Sequence, residues 1–305
     1  MSRGWVWMAF MTIAVVLILS CSLCYRQYGR MELVLVHANL LRSSSPEAEP
    51  YIGNDGKPWL QPTRDFLLSA TEITQWQYEQ AMGKNPSTFP KNKRAAWNEP
   101  IAWIRGAGWN HPVEGVTWKE SLEFCNRLSI RMGLESCYEE VDDEWTYYPA
   151  RRGFRLPTEV EWEYACRAGS STPFLFEDDP QAVEEFGWYS ANSNQSTHAV
   201  GRKKPNAFEL YDMHGNVCEW GWNAGDFFKD DYDDTSPVPR PRRPQSGYRC
   251  VFSGGSWRND ASYFRDRRCY RGRPAEPSDC GGFRVALDVD KGIPERTQTS
   301  SEEPH

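Results

Sequence analysis

The chain has 305 residues, 39% of them apolar and 14% aromatic, with 14 Trp and a formal net charge of −7. That composition can bury a substantial core and excludes an intrinsically disordered chain, which is poor in aromatics. The acidic balance argues against a general nucleic-acid partner, because neutralising phosphates needs a basic surplus.

Residues 4–25, GWVWMAFMTIAVVLILSCSLCY, carry no charge and lie between Arg3 and Arg26. The apolar stretch 5–19 suits a secretory h-region and approaches the roughly 20 residues needed to cross a bilayer. Ile18-Leu19-Ser20-Cys21 has the form of a bacterial lipobox, with Cys21 as the lipidated residue and Leu19 where a small residue is usual. Segment 1–25 is therefore expected to be a signal, lipoprotein or membrane-anchor segment. Each of these readings makes the protein exported, and the lipoprotein and anchor readings hold it on the bacterial cell envelope. Arg3 on one flank and Arg26 and Arg30 on the other leave orientation open.

The apolar run 31–38, MELVLVHA, reads as a strand, and the Ser-, Pro- and Gly-rich 42–62 as a loop. DFLLSA at 65–70 reads as a second strand. Three helices then start on one device. Thr74…Gln77, Thr117…Glu120 and Thr158…Glu161 are capping boxes, in which the Thr oxygen accepts the N3 amide and the N3 side chain returns to the Thr N–H. Gly83, Gly133 and Gly169 stand where each helix must turn left-handed. Trp118, Leu122, Cys125 and Leu128 recur at helical spacing and predict one buried stripe. The third helix is expected over 159–168, with Val160, Tyr164 and Cys166 facing inward. CVFSGGSW at 250–257 and GGFRVALDV at 281–289 read as further short strands, and the polar tail 291–305 as disordered. Few helices, many loops and short strands point to an irregular α+β domain.

The chain has nine Cys; besides Cys21 and Cys24 they are Cys125, Cys137, Cys166, Cys218, Cys250, Cys269 and Cys280. No CxxC occurs outside the N-terminal segment, which argues against a zinc ribbon. His37, His111, His198, His214 and His305 are scattered without metal-ligand spacing, and no P-loop, nucleophile elbow or dinucleotide fingerprint appears. Arg265, Arg267, Arg268, Arg271 and Arg273 form a basic run, expected as a solvated or ion-paired rim; a groove for an acidic ligand or polymer is the other reading.

Five blocks in order, ATEITQWQYEQAMGKNPSTF (70–89), HPVEGVTWKESLEFCNRLS (111–129), FRLPTEVEWEYACRAG (154–169), ELYDMHGNVCEW (209–220) and GGSWRNDASYFRDRRCYRGRPAEPSDCGGFRVA (254–286), resemble the formylglycine-generating enzyme, or sulfatase-modifying factor, family over residues 31–288. The resemblance implies an irregular, loop-rich α+β fold distantly like that of C-type lectins. The family's founding activity converts a Cys in a Cys-x-Pro-x-Arg segment to formylglycine, using oxygen and copper(I) held by two Cys thiolates, soft ligands for a soft ion. The positions of those two Cys hold Asn259 and Phe264 here. Ser256 and Tyr263 match pocket positions, and Cys218 replaces a Trp that lines the oxygen site.

The resemblance further implies a disulfide between Cys166 and Cys269. Cys125 matches one end of a second bridge whose other position is Val285, with Cys137 or Cys280 as substitute partners. It also implies a structural calcium ion on the side chains of Asp212 and Glu219 and the carbonyls of Gly215 and Val217, oxygen ligands suited to a hard cation. The expectation is an exported family member without the copper pair: a non-catalytic binding or assembly module for an envelope protein, peptide or glycan, holding calcium and no copper. The alternative is a working oxidase with relocated ligands, Cys218 first among them.

Overall fold

The computed structural model describes residues 16–18, 31–38, 62–89, 110–142, 144–169, 180–224, 250–265 and 270–289. Cys21, Cys24 and the tail 291–305 lie outside these. In chain order the strands are β1 (Val16–Ile18), β2 (Glu32–Val36), β3 (Phe66–Ser69), β4 (Tyr138–Val141), β5 (Glu144–Tyr147), β6 (Gly187–Trp188), β7 (His214–Gly215), β8 (Cys218–Ala224), β9 (Cys250–Ser253), β10 (Tyr270–Gly272), β11 (Gly281–Gly282) and β12 (Ala286–Asp288). The helices are α1 (Gln75–Met82), α2 (Trp118–Arg131), α3 (Glu159–Arg167), α4 (Pro180–Phe186) and α5 (Ser262–Arg265). One four-stranded sheet runs β1-β2-β3-β12 and another β10-β9-β8-β11, with two smaller pairs, β4-β5 and β6-β7. The fold is α+β, as the short strands and few helices imply.

The first sheet is apolar on both faces. Leu33 and Leu67 enter one core cluster, while Val34, Val36, Phe66 and Leu68 enter a second. Alternation along each strand sends neighbours to opposite faces, so a strand covered on both sides reads as a continuous apolar run. The first cluster joins that face to α1, α2 and the second sheet through Tyr78, Trp118, Leu122, Phe124, Trp220 and Phe283. The second cluster packs α3 through Trp162 and Tyr164.

All three capping boxes form. The predicted stripe of α2 is buried, as are Val160, Tyr164 and Cys166 of α3. Gly83 and Gly133 turn left-handed after their helices. The third helix differs: Ala168 already has φ 48°, so the turn begins one residue before Gly169. The predicted strand 281–289 divides into β11 and β12, which join different sheets. Of the charge-free N-terminal segment only Val16–Ile18 is described, as an antiparallel strand on β2. Among the described residues no helix is long and apolar enough to cross a membrane.

Candidate functional site

The site region lies where β8 and β11 run parallel, with Gly281 opposite Cys218 and Gly282 opposite Glu219. Glycine is required at 282: a Cβ there would stand 2.4 Å from the Val113 carbonyl oxygen. That close approach brings two groups together, a buried charge cluster and a pair of thiols.

The charge cluster centres on Arg284, which is fully buried. Its Nε donates to Glu219 Oε2 at 2.6 Å and its Nη2 to Oε1 at 2.7 Å. The same guanidinium reaches the carbonyls of Ser69 at 3.0 Å and Tyr211 at 2.9 Å. Trp162 Nε1 adds a third bond to Glu219 Oε2 at 2.7 Å. Glu72, also fully buried, accepts from Asn216 Nδ2 at 2.9 Å and from the Val217 amide at 3.1 Å. Asp212 Oδ2 accepts from the Gly201 amide at 2.6 Å, while Asp212 Oδ1 is buried without a partner. Burial, reinforced by the neighbouring Asp212 and Glu219 charges, holds Glu72 well above the usual carboxylate range. Burial likewise pushes Asp212 up to about 6.

This arrangement does not fit a calcium ion that uses Glu219 as a ligand. Both Glu219 oxygens accept from Arg284 or Trp162, and the guanidinium already balances the carboxylate charge, so a cation there would have to displace or adjoin a buried positive charge. Of the two expected acidic ligands, Asp212 has an oxygen without any hydrogen-bond partner. Glu72 and Arg284, which decide this outcome, were not singled out in the sequence. Their one signal is a charged residue inside an apolar run, as in Phe283-Arg284-Val285.

The positions matched to copper ligands have other work. Asn259 Oδ1 accepts from the Ser256 amide and from Ser256 Oγ, both at 2.8 Å, and the Asn259 amide returns to the Ser256 carbonyl at 3.0 Å. Its own carbonyl accepts from the Ser190 amide at 2.8 Å. Asn259 therefore closes the turn that follows Gly254-Gly255. Phe264 lies against Gly255, where a Cβ would meet its ring at 2.9 Å, and packs edge-on to His214 and Tyr189. Tyr263 sits beside it on α5, with its amide on the Asp260 carbonyl at 3.1 Å.

Cys218 is buried at the start of β8 and its amide donates to the Cys280 carbonyl at 2.7 Å. The two thiols shift each other's acidity: Cys218 lowers Cys280 to about 6, and Cys280, with burial, raises Cys218 well above the usual thiol range. The partly exposed Cys280 is 3.1 Å from Ser278 Oγ. Sequence reasoning named Cys218 and considered Cys280 only as a partner for Cys125, so the pairing itself was missed.

The expected bridges are not seen among the described residues. Cys166 is a free thiol, buried on α3 with its sulfur 3.6 Å from His214 Nε2. Its expected partner, Cys269, lies outside the described residues. Cys125 and Cys137 are buried in the same cluster, both as free thiols, and Cys280 stands with Cys218 instead. Of the basic run, the exposed Arg273 pairs with Glu276 at 2.7 Å, as expected of an ion-paired rim; Arg267 and Arg268 lie outside the described residues.

Comparison with known proteins agrees with the fold. Residues 47–289 match the sulfatase-modifying factor enzyme 1-like domain. The chain is 28% identical over 284 residues to a chaperone protein LppX of Paenibacillus barcinonensis, covering 82% of this chain and 88% of that protein. It is 31% identical over 203 residues to a formylglycine-generating enzyme of Streptomyces coelicolor, covering 61% of this chain and 62% of the enzyme's length. Among solved structures, Treponema denticola variable protein 1 superposes with a TM-score of 0.67 at 28% identity, over 85% of this chain and 96% of that one. The match across most of the chain, together with the shared fold, makes this protein a member of the sulfatase-modifying factor, or formylglycine-generating enzyme, family.

Proposed function

We propose that this family member is an exported binding or assembly module of the bacterial cell envelope that does not perform copper-dependent formylglycine formation. One observation carries the reading. The two positions matched to copper thiolates hold an Asn that ties down its own turn and a Phe packed on Gly255 and His214. Neither side chain offers a soft ligand, and both are committed to holding the loop. The relative named as a chaperone, which matches over most of its length, supports a role in handling another envelope protein. The charge-free segment ending at Cys21 supports export and anchoring. A peptide or a glycan is the other class of ligand that this fold would take.

A copper oxidase with relocated ligands keeps one supporting observation, the contact between Cys218 and Cys280. One experiment decides between the readings. The protein is loaded with copper(I) and incubated in air with a Cys-x-Pro-x-Arg peptide and a reductant, and the peptide is read by mass spectrometry. The expected result is unchanged peptide and no tight copper binding. Formylglycine in the wild type that disappears in Cys218→Ser overturns the proposal and identifies a relocated ligand.

A further inference from the structure

The two thiols at the β8–β11 junction have no task in the fold that a pair of small apolar residues would not perform. We infer that Cys280 and Cys218 form a thiol–disulfide exchange site, with Cys280 as the attacking thiolate, Cys218 as the resolving thiol, and a disulfide-bearing peptide or small molecule as the substrate.

Geometry carries the inference. The bond from the Cys218 amide to the Cys280 carbonyl, 2.7 Å long, makes Cys280 the diagonal neighbour of Cys218, next to the Gly281 that stands directly opposite it. Diagonal neighbours on adjacent strands lie about 6 Å apart, inside the range of Cα separations that a disulfide spans. The two thiols are close enough to act on each other, each being the foremost influence on the other's acidity. The pair is asymmetric in access: Cys218 is buried, while Cys280 is partly exposed. An incoming disulfide therefore meets Cys280 first.

The surroundings favour the thiolate on Cys280. Ser278 Oγ lies 3.1 Å from the Cys280 sulfur, and the Cys218 thiol and the Arg258 guanidinium also favour its charged form. Asp279 opposes this, but its carboxylate is paired with Arg258 at 2.7 and 2.9 Å. Led by the Cys218 thiol, these groups lower the Cys280 thiol to about 6 despite its burial. The influence of Cys280, with burial, keeps Cys218 protonated well above the usual thiol range, and the adjacent Glu219 acts in the same direction. The division of roles suits exchange, in which a thiolate attacks and a neutral thiol waits.

The chemistry balances. The Cys280 thiolate attacks one sulfur of the external disulfide, that S–S bond breaks, and one thiolate leaves. The mixed disulfide removes the negative charge that kept Cys218 protonated. Cys218 then loses its proton to water and attacks Cys280 Sγ. The second thiolate leaves. Two protein thiols have become one disulfide, and the external disulfide has become two thiols.

The test uses the full chain, reduced and freed of reductant under inert gas, with 5,5′-dithiobis(2-nitrobenzoate) as the disulfide. Peptide mapping of the product is expected to show Cys218 joined to Cys280. In Cys218→Ser the aryl group is expected to remain on Cys280 as a stable mixed disulfide. Separately, iodoacetamide should alkylate Cys280 at pH 6 about tenfold faster than it alkylates free cysteine. A lowered thiol of this kind is about half ionised there, and its weaker intrinsic nucleophilicity takes back part of the gain. An aryl group retained on wild-type Cys280, or a Cys280 alkylated no faster than free cysteine, overturns the inference. Both wild-type readouts stand even if the variant fails to fold, and neither depends on copper.

Discussion

Replacing Arg284 with Met tests the account of the buried charge cluster most directly. The substitution removes both bonds to Glu219, at 2.6 and 2.7 Å, and those to the Ser69 and Tyr211 carbonyls. Glu219 keeps only the Trp162 bond and becomes a buried carboxylate beside Glu72 and Asp212 with no guanidinium among them. Breaking one partner of a buried ion pair costs about 3–5 kcal/mol. The two orphaned carbonyls place this site at the upper end, about 4–5 kcal/mol, a large part of the about 5–15 kcal/mol available to a typical domain. Equilibrium urea unfolding at neutral pH, followed by Trp fluorescence, measures it. The double variant Arg284→Met/Glu219→Leu should recover part of the loss, because it removes the stranded charge as well. A loss below about 1 kcal/mol for Arg284→Met, with an unchanged urea dependence, would refute the claim that this pair organises the site.

Asp212→Asn tests the acidity of the cluster. The folded-state carboxyl, at about 6, lies above its ordinary value of 3.8, so protonation favours the fold. That stabilisation is fully present below about pH 4 and is lost as the pH rises to about 6. Asn cannot ionise, so the variant should gain about 1–3 kcal/mol at pH 7.5 and almost nothing at pH 4, since each tenfold change in proton affinity between the folded and unfolded chain is worth about 1.4 kcal/mol. Equal effects at both pH values would remove the basis for this reading. The wild type should melt within about 1 °C of the same temperature in EDTA and in millimolar calcium, since Arg284 occupies Glu219. A calcium-dependent rise of several degrees would show that an ion displaces the guanidinium. Thr117→Ala removes the cap of α2, whose hydroxyl accepts the Glu120 amide at 3.2 Å. It should cost about 1 kcal/mol in urea unfolding, and a neutral result would mean that the helix start is held by packing alone.

The sequence alone determined what depends on near neighbours in the chain. A capping box closes within four residues, so Thr74, Thr117 and Thr158 announced their helices wherever the rest of the chain went. Helical spacing likewise announced the buried stripe from Trp118 to Leu128. The ordered blocks that carry the family resemblance, and the absence of Cys at positions 259 and 264, are also properties of the chain as written. The hairpin of β4 and β5 escaped notice, because β4 is exposed after Tyr138 and the alternation of Glu144-Trp145-Thr146-Tyr147 lasts only four residues.

Only the tertiary structure decided what each of those residues touches. Glu219 looked like a cation ligand until folding placed Arg284, 65 positions along the chain, against both of its oxygens. A buried carboxylate takes whichever positive partner the fold supplies, and no local pattern names that partner. The same holds for sulfur. Cys218 looked isolated, and Cys280 was one of two thiols available to Cys125, until the parallel pairing of β8 with β11 put the Cys218 amide on the Cys280 carbonyl. Contacts across a sheet follow from register, and register here follows from a glycine with no room for a Cβ at position 282 and from apolar packing on both sides. Those are properties of the assembled core, which is why the elements were readable along the chain and the chemistry of the site was not.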